Sequence, residues 1–287
     1  MTKKGAGEQE LRTRLRLPPG EPVDLSAHDT RATPGDPGGK DAALAQTGRM
    51  GRRLAALQDR LWAASTAGDR RRVLLVLQGM DTSGKGGTVK HVAGLLNPAG
   101  CRVRAFRAPT AEERAHDFLW RVRRALPRPG EIGIFDRSHY EDVLVARVRH
   151  LAVPAEIGSR YGRINDFERS LADDGVTVVK CFLHLSAQEQ RRRLLRRLDR
   201  PDKRWKFDPG DIEDRALWPA YQEAYATVLE RCAGPHAPWY LVPADRKWYR
   251  NWAVCRLLLE HLRDLDPRYP EADFDVAACR ERLTRHT

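Results

Sequence analysis

The chemistry of this chain is concentrated at Gly79, Asp81, Gly84 and Lys85. An apolar run, Val73-Leu74-Leu75-Val76-Leu77, breaks at Gly79, and the interval from Gly79 to Gly84-Lys85 is that of a phosphate-binding loop. In such a loop the glycines let successive backbone N–H groups turn inward, and the helix that follows adds its positive N-terminus. Lys85 supplies a mobile full charge for phosphoryl oxygens. Gly86 stands where a Ser or Thr hydroxyl usually holds magnesium. Asp81, inside the loop, offers the missing oxygen, a hard ligand of the kind magnesium prefers. A glycine-rich turn with a solvated lysine is the simpler alternative, but it leaves the agreement of strand, spacing, lysine and helix unexplained.

A second carboxylate closes another apolar run, Ile132-Gly133-Ile134-Phe135-Asp136. A carboxylate at the C-terminal end of a strand can reach magnesium or its water shell in phosphate-loop enzymes. The alternative is an ordinary helix N-cap, and the loop at 79–88 favours the metal reading. Further on, Arg191, Arg192, Arg193, Arg196, Arg197, Arg200, Lys203, Arg204 and Lys206 put nine cations into sixteen residues. Many must face solvent, since they lie all around a helix. Arg193 and Arg197 share one face at i, i+4 spacing, so the pair can address one anion. A basic helix in this position reads as a lid over phosphates.

The elements that hold these groups can be read from periodicity. Val73 opens the first strand, buried on both faces, and a helix follows over 86–96. Strands are expected at 102–107, 131–136, 176–185 and 239–242. Helices are expected between them: one after the capping box of Thr110 and Glu113 ending near Pro127, one through Arg160 and Phe167, one capped by Ser186 and Glu189, and one bearing Trp218, Tyr221 and Tyr225 as packing residues. Before the first strand, Met50, Leu54, Leu57 and Leu61 repeat at helical spacing, with Trp62 read as core. A closing helix runs to about Leu265. The fold class is therefore α/β, a phosphate-loop kinase-like sheet of five parallel strands with helices on both faces and a helical lid.

Composition sets the limits. The chain has 287 residues, 41% of them hydrophobic, enough for one large domain. No uncharged apolar run approaches the ~20 residues of a membrane span, and the start lacks a secretory apolar core. Five dispersed cysteines without a CxxC pair point to reduced thiols, hence to the cytoplasm, and away from structural zinc. A net charge of +12 suggests a polyanionic partner, nucleic acid or a phosphate-rich small molecule. Residues 1–40, with Pro18-Pro19-Gly20 and a Pro/Gly cluster at 34–39, read as an extended arm. Residues 41–274 form the domain, with a lid at about 187–215, and 275–287 a polar tail.

The segments Gly79-Met80-Asp81-Thr82-Ser83-Gly84-Lys85-Gly86-Gly87-Thr88 and Phe135-Asp136-Arg137-Ser138-His139-Tyr140-Glu141-Asp142 together resemble the polyphosphate kinase 2 family. So do Arg193, Arg197, Pro201, Lys203, Trp205-Lys206-Phe207 and Pro243-Ala244-Asp245-Arg246-Lys247-Trp248-Tyr249-Arg250-Asn251. The resemblance implies reversible, magnesium-dependent (or manganese-dependent) transfer of a phosphoryl group from inorganic polyphosphate to a nucleotide. It implies that Asp81 and Asp136 hold the metal, that Lys85 and Arg137 grip the transferring group, and that Arg193 and Arg197 act from the lid. Phosphates would be bound by Gly79, Ser83, Gly84, Lys85, Gly86, Gly87, Thr88, Lys90, Lys203 and Lys206, and the nucleotide by Tyr140, Glu141 and Arg197. It also implies a homo-oligomer, with neither a specific nucleic acid nor a membrane as partner. The segment from Ser138 to Val145 looks like the branch acting on nucleoside mono- and diphosphates, which usually has Asn in place of Asp136; diphosphate-specific members have Asp. Two other readings are an ATP-dependent kinase of the same loop class and a basic nucleic-acid-binding protein. The latter has no recognisable nucleic-acid motif and gives Lys85 and Asp136 no role.

Overall fold

The computed structural model describes residues 10–285. Five strands, β1 (Arg72–Gln78), β2 (Cys101–Ala105), β3 (Ile132–Asp136), β4 (Val176–His184) and β5 (Trp239–Pro243), form one parallel sheet in the order β2-β3-β1-β4-β5. All seven residues of β1 are buried, as an apolar run covered on both faces requires. β1 pairs with β3 so that Leu77 lies opposite Asp136. The loop after β1 and the carboxylate ending β3 thus emerge side by side at the same sheet edge, where ligands bind in open parallel sheets.

The helices in chain order are α1 (Leu11–Leu15), α2 (Lys40–Thr66), α3 (Lys85–Ala93), α4 (Ala111–Arg114), α5 (Trp120–Ala125), α6 (Glu141–Val148), α7 (Pro154–Asp173), α8 (Ala187–Asp199), α9 (Gly210–Ala216), α10 (Trp218–Arg231), α11 (Lys247–Leu265) and α12 (Val276–Arg285). Against one face of the sheet, α2, α3 and α11 pack with Leu54, Leu61, Val92 and Leu258 around Leu75 and Leu77. Against the other, α6, α7 and α10 bring Val143, Ile164 and Val228 towards Phe182 and Trp239. Each such fully buried apolar side chain contributes roughly 1.5–3 kcal/mol relative to exposure. The cap expected of Thr110 and Glu113 is present, but the helix it starts is one turn long, and α5 resumes after Asp117 and Phe118. Ser186 Oγ accepts the Glu189 N–H and starts α8, which with a 3₁₀ segment at Pro201–Lys206 and α9 makes up the segment expected as the lid.

Three expectations are corrected. The arm is not merely extended: Leu11 and Leu15 are buried in the core with α11, and Leu17 and Leu25 are buried on the other face. It continues the sheet at its β5 edge, where Arg16 bridges Tyr240 antiparallel and the Leu17 N–H donates to Trp239 O at 2.9 Å. The first-turn N–H groups of Leu11 and Arg12, which a helix leaves without internal partners, donate to Glu260 Oε1 and Oε2 at 3.1 and 3.0 Å. Trp62 is 44% exposed, since the stripe of Leu54, Leu61 and Gln58 faces inward instead. The tail forms α12, a helix without buried residues, preceded by exposed Phe274.

Candidate active site

The phosphate loop is held in a shape that only its own residues permit. Gly79 and Gly84 have φ of 149° and 102°, the region that favours glycine. A Cβ at Gly79 would come within 2.7 Å of Leu183 O, and one at Gly84 within 1.8 Å of Arg250 Nη1. Gly84 precedes α3, so the free N–H groups of the first turn, at Lys85, Gly86 and Gly87, open on the cleft. Thr82 and Arg137 also take positive φ, of 62° and 64°. Backbone strain of this kind is a reservoir found at ligand-binding sites.

Lys85 is buried and its Nζ donates to Gly79 O at 2.7 Å and Met80 O at 3.2 Å, with Asp81 Oδ1 at 3.9 Å. Burial pushes its ammonium below the usual lysine range, and Asp81 only partly offsets this. Arg137 Nη2 donates to Asp81 Oδ1 at 2.7 Å. Burial works against the Asp81 charge, but Lys85 and Arg137 outweigh it and hold the carboxyl below its ordinary range. Glu141, on the first turn of α6, accepts from Gln78 Nε2 at 3.1 Å and lies 3.9 Å from Arg137 Nη1. Burial raises its carboxyl, with Arg137 and Lys85 opposing. Arg137 is therefore flanked by Asp81 and Glu141, which fix its direction.

Around these groups opens a cleft of about 700 Å³. Among the described residues it is lined by eleven cations and two carboxylates, Asp81 and Asp136. Expected residues that line it are Asp81, Gly84, Lys85, Gly86, Gly87, Asp136, Arg137, Arg193, Arg197, Lys203 and Lys206. Arg197 Nη1 donates to Lys206 O at 3.0 Å and Asp211 Oδ2 at 3.2 Å, which ties α8 to the rest of the lid. The cations that sequence reasoning missed are Arg107, Arg196, Arg200, Lys247 and Arg250. Arg196 and Arg200 belonged to the counted basic run, and Lys247 and Arg250 to the quoted segment after β5. Their four-residue and three-residue spacings were the signal available.

Several expected residues stand elsewhere. Tyr140 is fully buried, donating its hydroxyl to Glu168 Oε1 at 2.7 Å and accepting from Lys180 Nζ at 2.8 Å, so it belongs to the core rather than to a nucleotide surface. Thr88 is buried with its hydroxyl 3.4 Å from Asn251 Oδ1. Lys90 is exposed one helical turn beyond Gly86, outside the cleft lining. The Ser83 hydroxyl is buried without a hydrogen-bond partner among the described residues, close to Gly79. Arg193 does not point free donors at an anion. Its Nε donates to Glu189 Oε1 (2.7 Å), Nη1 to Thr82 O and Ser83 O (2.9 and 3.1 Å), and Nη2 to Ala244 O and Asp245 O (2.7 and 2.9 Å). All five of its N–H groups are thus committed. Arg193 is a clamp between the phosphate loop, the lid helix and the end of β5.

Whether a divalent metal fits can be judged from the donors. Among the described residues no group of three or more His, Cys, Asp or Glu side chains gathers as a metal cage. Asp81 and Asp136 nevertheless line one cleft, beside exposed Gly86. Two carboxylates suit magnesium, which keeps several waters and takes its other ligands from phosphate.

The sequence matches the family model described as polyphosphate kinase 2 over residues 39–270. It is 48% identical over 261 residues to the AMP/ADP-polyphosphate phosphotransferase of Meiothermus ruber, covering 91% of this chain and 96% of that protein. To the ADP-polyphosphate phosphotransferase of Rhodopseudomonas palustris it is 39% identical over 269 residues, covering 90% and 91%. The crystal structure of polyphosphate kinase 2 from Arthrobacter aurescens TC1 superposes with a TM-score of 0.94 at 45% identity, covering 97% of this chain and 98% of that one.

Proposed function

The chain belongs to the polyphosphate kinase 2 family, and from that premise we propose that its cleft transfers a phosphoryl group between inorganic polyphosphate and a nucleotide. The observation that carries this reading is the charge balance of the cleft, eleven cations to two carboxylates around a phosphate loop among the described residues. Polyphosphate carries roughly one negative charge per phosphate, so such a surface attracts and orients it. Phosphoryl transfer asks for positioning and charge neutralisation more than for covalent chemistry. No side chain has to act as nucleophile: a phosphate oxygen of the acceptor attacks the terminal phosphorus of the donor chain, whose bond to the bridging oxygen breaks as the polyphosphate shortened by one unit leaves with that oxygen.

In this reading the N–H groups at the start of α3 and Lys85 hold the transferring group. Arg137, aimed by Asp81 and Glu141, neutralises charge on its equatorial oxygens. Glu141 acts by positioning Arg137. Arg197, Lys203 and Lys206 bring the lid over the phosphates. Asp81 and Asp136 would hold a divalent metal, magnesium in the first instance and manganese in its place, which would supply charge neutralisation for the phosphates. Diphosphates such as ADP and GDP are the favoured acceptors, with AMP used less efficiently because Asp136 adds a carboxylate near a single phosphate. Among the described residues no helix is long and apolar enough to cross a membrane; a cytoplasmic reaction is part of the same proposal. Self-association belongs to the same proposal and is read by light scattering. The test is to supply purified protein with magnesium and polyphosphate, without ATP, and separately with AMP, ADP or GDP, and to resolve the products. Formation of ATP from ADP supports the reading. Phosphorylation only when ATP is added would transfer the site to the ATP-dependent kinases.

A further inference from the structure

Two buried guanidinium groups converge on the carbonyl of Ser83, and their charges are met differently. Arg193 has Glu189 as counter-charge and acceptors for all five N–H groups. Arg250, on the first turn of α11, is 3% exposed and donates Nη1 to Ser83 O at 2.9 Å. Its Nε and Nη2 both reach Asn251 Oδ1, at 3.2 and 2.8 Å. Among the described residues no carboxylate pairs with it. Burial, and then neighbouring Arg193, push its guanidinium down to about 9. One N–H on each terminal nitrogen is left over.

The position of that surplus is informative. A Cβ built on Gly84 falls 1.8 Å from Arg250 Nη1, and one on Gly87 falls 3.5 Å from Nη2. The guanidinium therefore lies against the phosphate loop and the first turn of α3, and it lines the cleft. A clamp on Ser83 needs no second charge, since Arg193 already supplies one. An uncompensated buried cation is costly unless an anion completes it. Without side chains at 84 and 87, the guanidinium can lie this close to the loop and still line the cleft.

We propose that Arg250 is a phosphate-binding residue of the transfer site, holding the anion through its two terminal nitrogens while Ser83 O fixes the guanidinium plane. The proposal rests on the reading of this cleft as the site of phosphoryl transfer. Arg193 and Arg250 then divide the work: one keeps the loop in shape, the other meets the substrate.

The test uses the full chain as wild type, Arg250→Met and Arg250→Lys, with tripolyphosphate as the binding probe in thermal melts and ADP plus polyphosphate in rate assays. Arg250→Met is expected to melt no lower than wild type, because it removes a charge with no counter-ion. Its thermal shift with tripolyphosphate should be largely lost and its turnover should fall ~10²-fold, the usual effect of losing one such donor. Millimolar guanidinium should restore part of the rate. Arg250→Lys keeps the charge but not the fork, so it should retain part of the shift and lose about tenfold in rate. A full tripolyphosphate shift in Arg250→Met, or a lower melting point with unchanged turnover per folded molecule, would make Arg250 a structural clamp and overturn the proposal. If the methionine variant does not fold, wild-type shift and rate in Arg250→Lys would overturn it equally. Absence of any shift in the wild type would do the same. Wild-type protein that binds tripolyphosphate through Arg250 yet transfers nothing from polyphosphate would instead sink the functional reading and leave the site assignment intact.

Discussion

Arg193→Met removes one guanidinium and five hydrogen bonds at once, including the ion pair to Glu189 at 2.7 Å. Glu189 is then left 5% exposed, with the solvent-facing Arg192 as its remaining ion-pair partner among the described residues. Breaking a buried pair from one side costs about 3–5 kcal/mol. Treating the five bonds as independent would give a larger figure, but they share one charge and one rigid plane, so about 4 kcal/mol is the better working value. A chain of this length unfolds with an entropy of roughly 0.6 kcal/mol/K, so the expected fall in Tm is ~7 °C. The loop carbonyls of Thr82 and Ser83 lose anchors as well, and a misplaced loop should lower kcat for every acceptor, AMP, ADP and GDP alike, by ~10²-fold. Calorimetry gives the Tm, and initial rates are taken well below the variant's transition. A Tm within a degree or two of wild type would refute the clamp. A selective effect on one base would refute the view that Arg193 acts through the phosphate loop.

Lys85→Met should lower turnover ~10²–10³-fold while leaving Tm unchanged or slightly higher, since burial already disfavours the lysine charge; rates and melts on the same preparation decide it. Asp136→Asn should raise the ratio of kcat/KM for AMP over ADP, because on the proposed reading Asn removes a carboxylate near the acceptor phosphate and adds a donor; an unchanged or lower ratio at saturating polyphosphate would place selection elsewhere. Burial, reinforced by Arg12, holds His261 down at about 4 against an ordinary 6.5, where it accepts or shares the Tyr240 hydroxyl proton at 2.8 Å. A depressed folded pKa gives stability that is complete above about pH 6.5 and is lost as pH falls towards 4. In His261→Gln the decline of Tm over that window should therefore be shallower than in wild type, and a parallel decline would remove His261 from the acid response.

What the sequence revealed was local. The apolar run at 73–77 with glycines at 79 and 84 can be read directly, because strand, turn and helix start are short-range decisions. Asp136 could be placed beside the loop once a parallel sheet was assumed, and the Leu77–Asp136 register agrees. Long-range convergence was out of reach. Arg193 and Arg250 meet on Ser83 O from 110 and 167 residues away, and nothing in their neighbourhoods says which donors are spent. Tyr140 stands between Arg137 and Glu141 in the chain, yet β3 ends just before it and the turn sends its ring into the core against Trp239. Composition misjudged the arm for a related reason: Pro and Gly mark its turns correctly, while Leu11, Leu15, Leu17 and Leu25 do the docking.

That docking sets a timetable. The partners of Leu11 and Arg12 on Glu260 are 249 and 248 residues downstream, and the strand that Arg16 and Leu17 cover is β5, the last one made. During synthesis the arm leaves the ribosome before β5 and α11 and cannot dock until they have emerged. Its leucines, and later the open edge of β5, must stay soluble through that interval, and the closure that joins them spans nearly the whole chain. Contacts of such separation are slow to form. The arm can dock only after the strand and helix that receive it have been made.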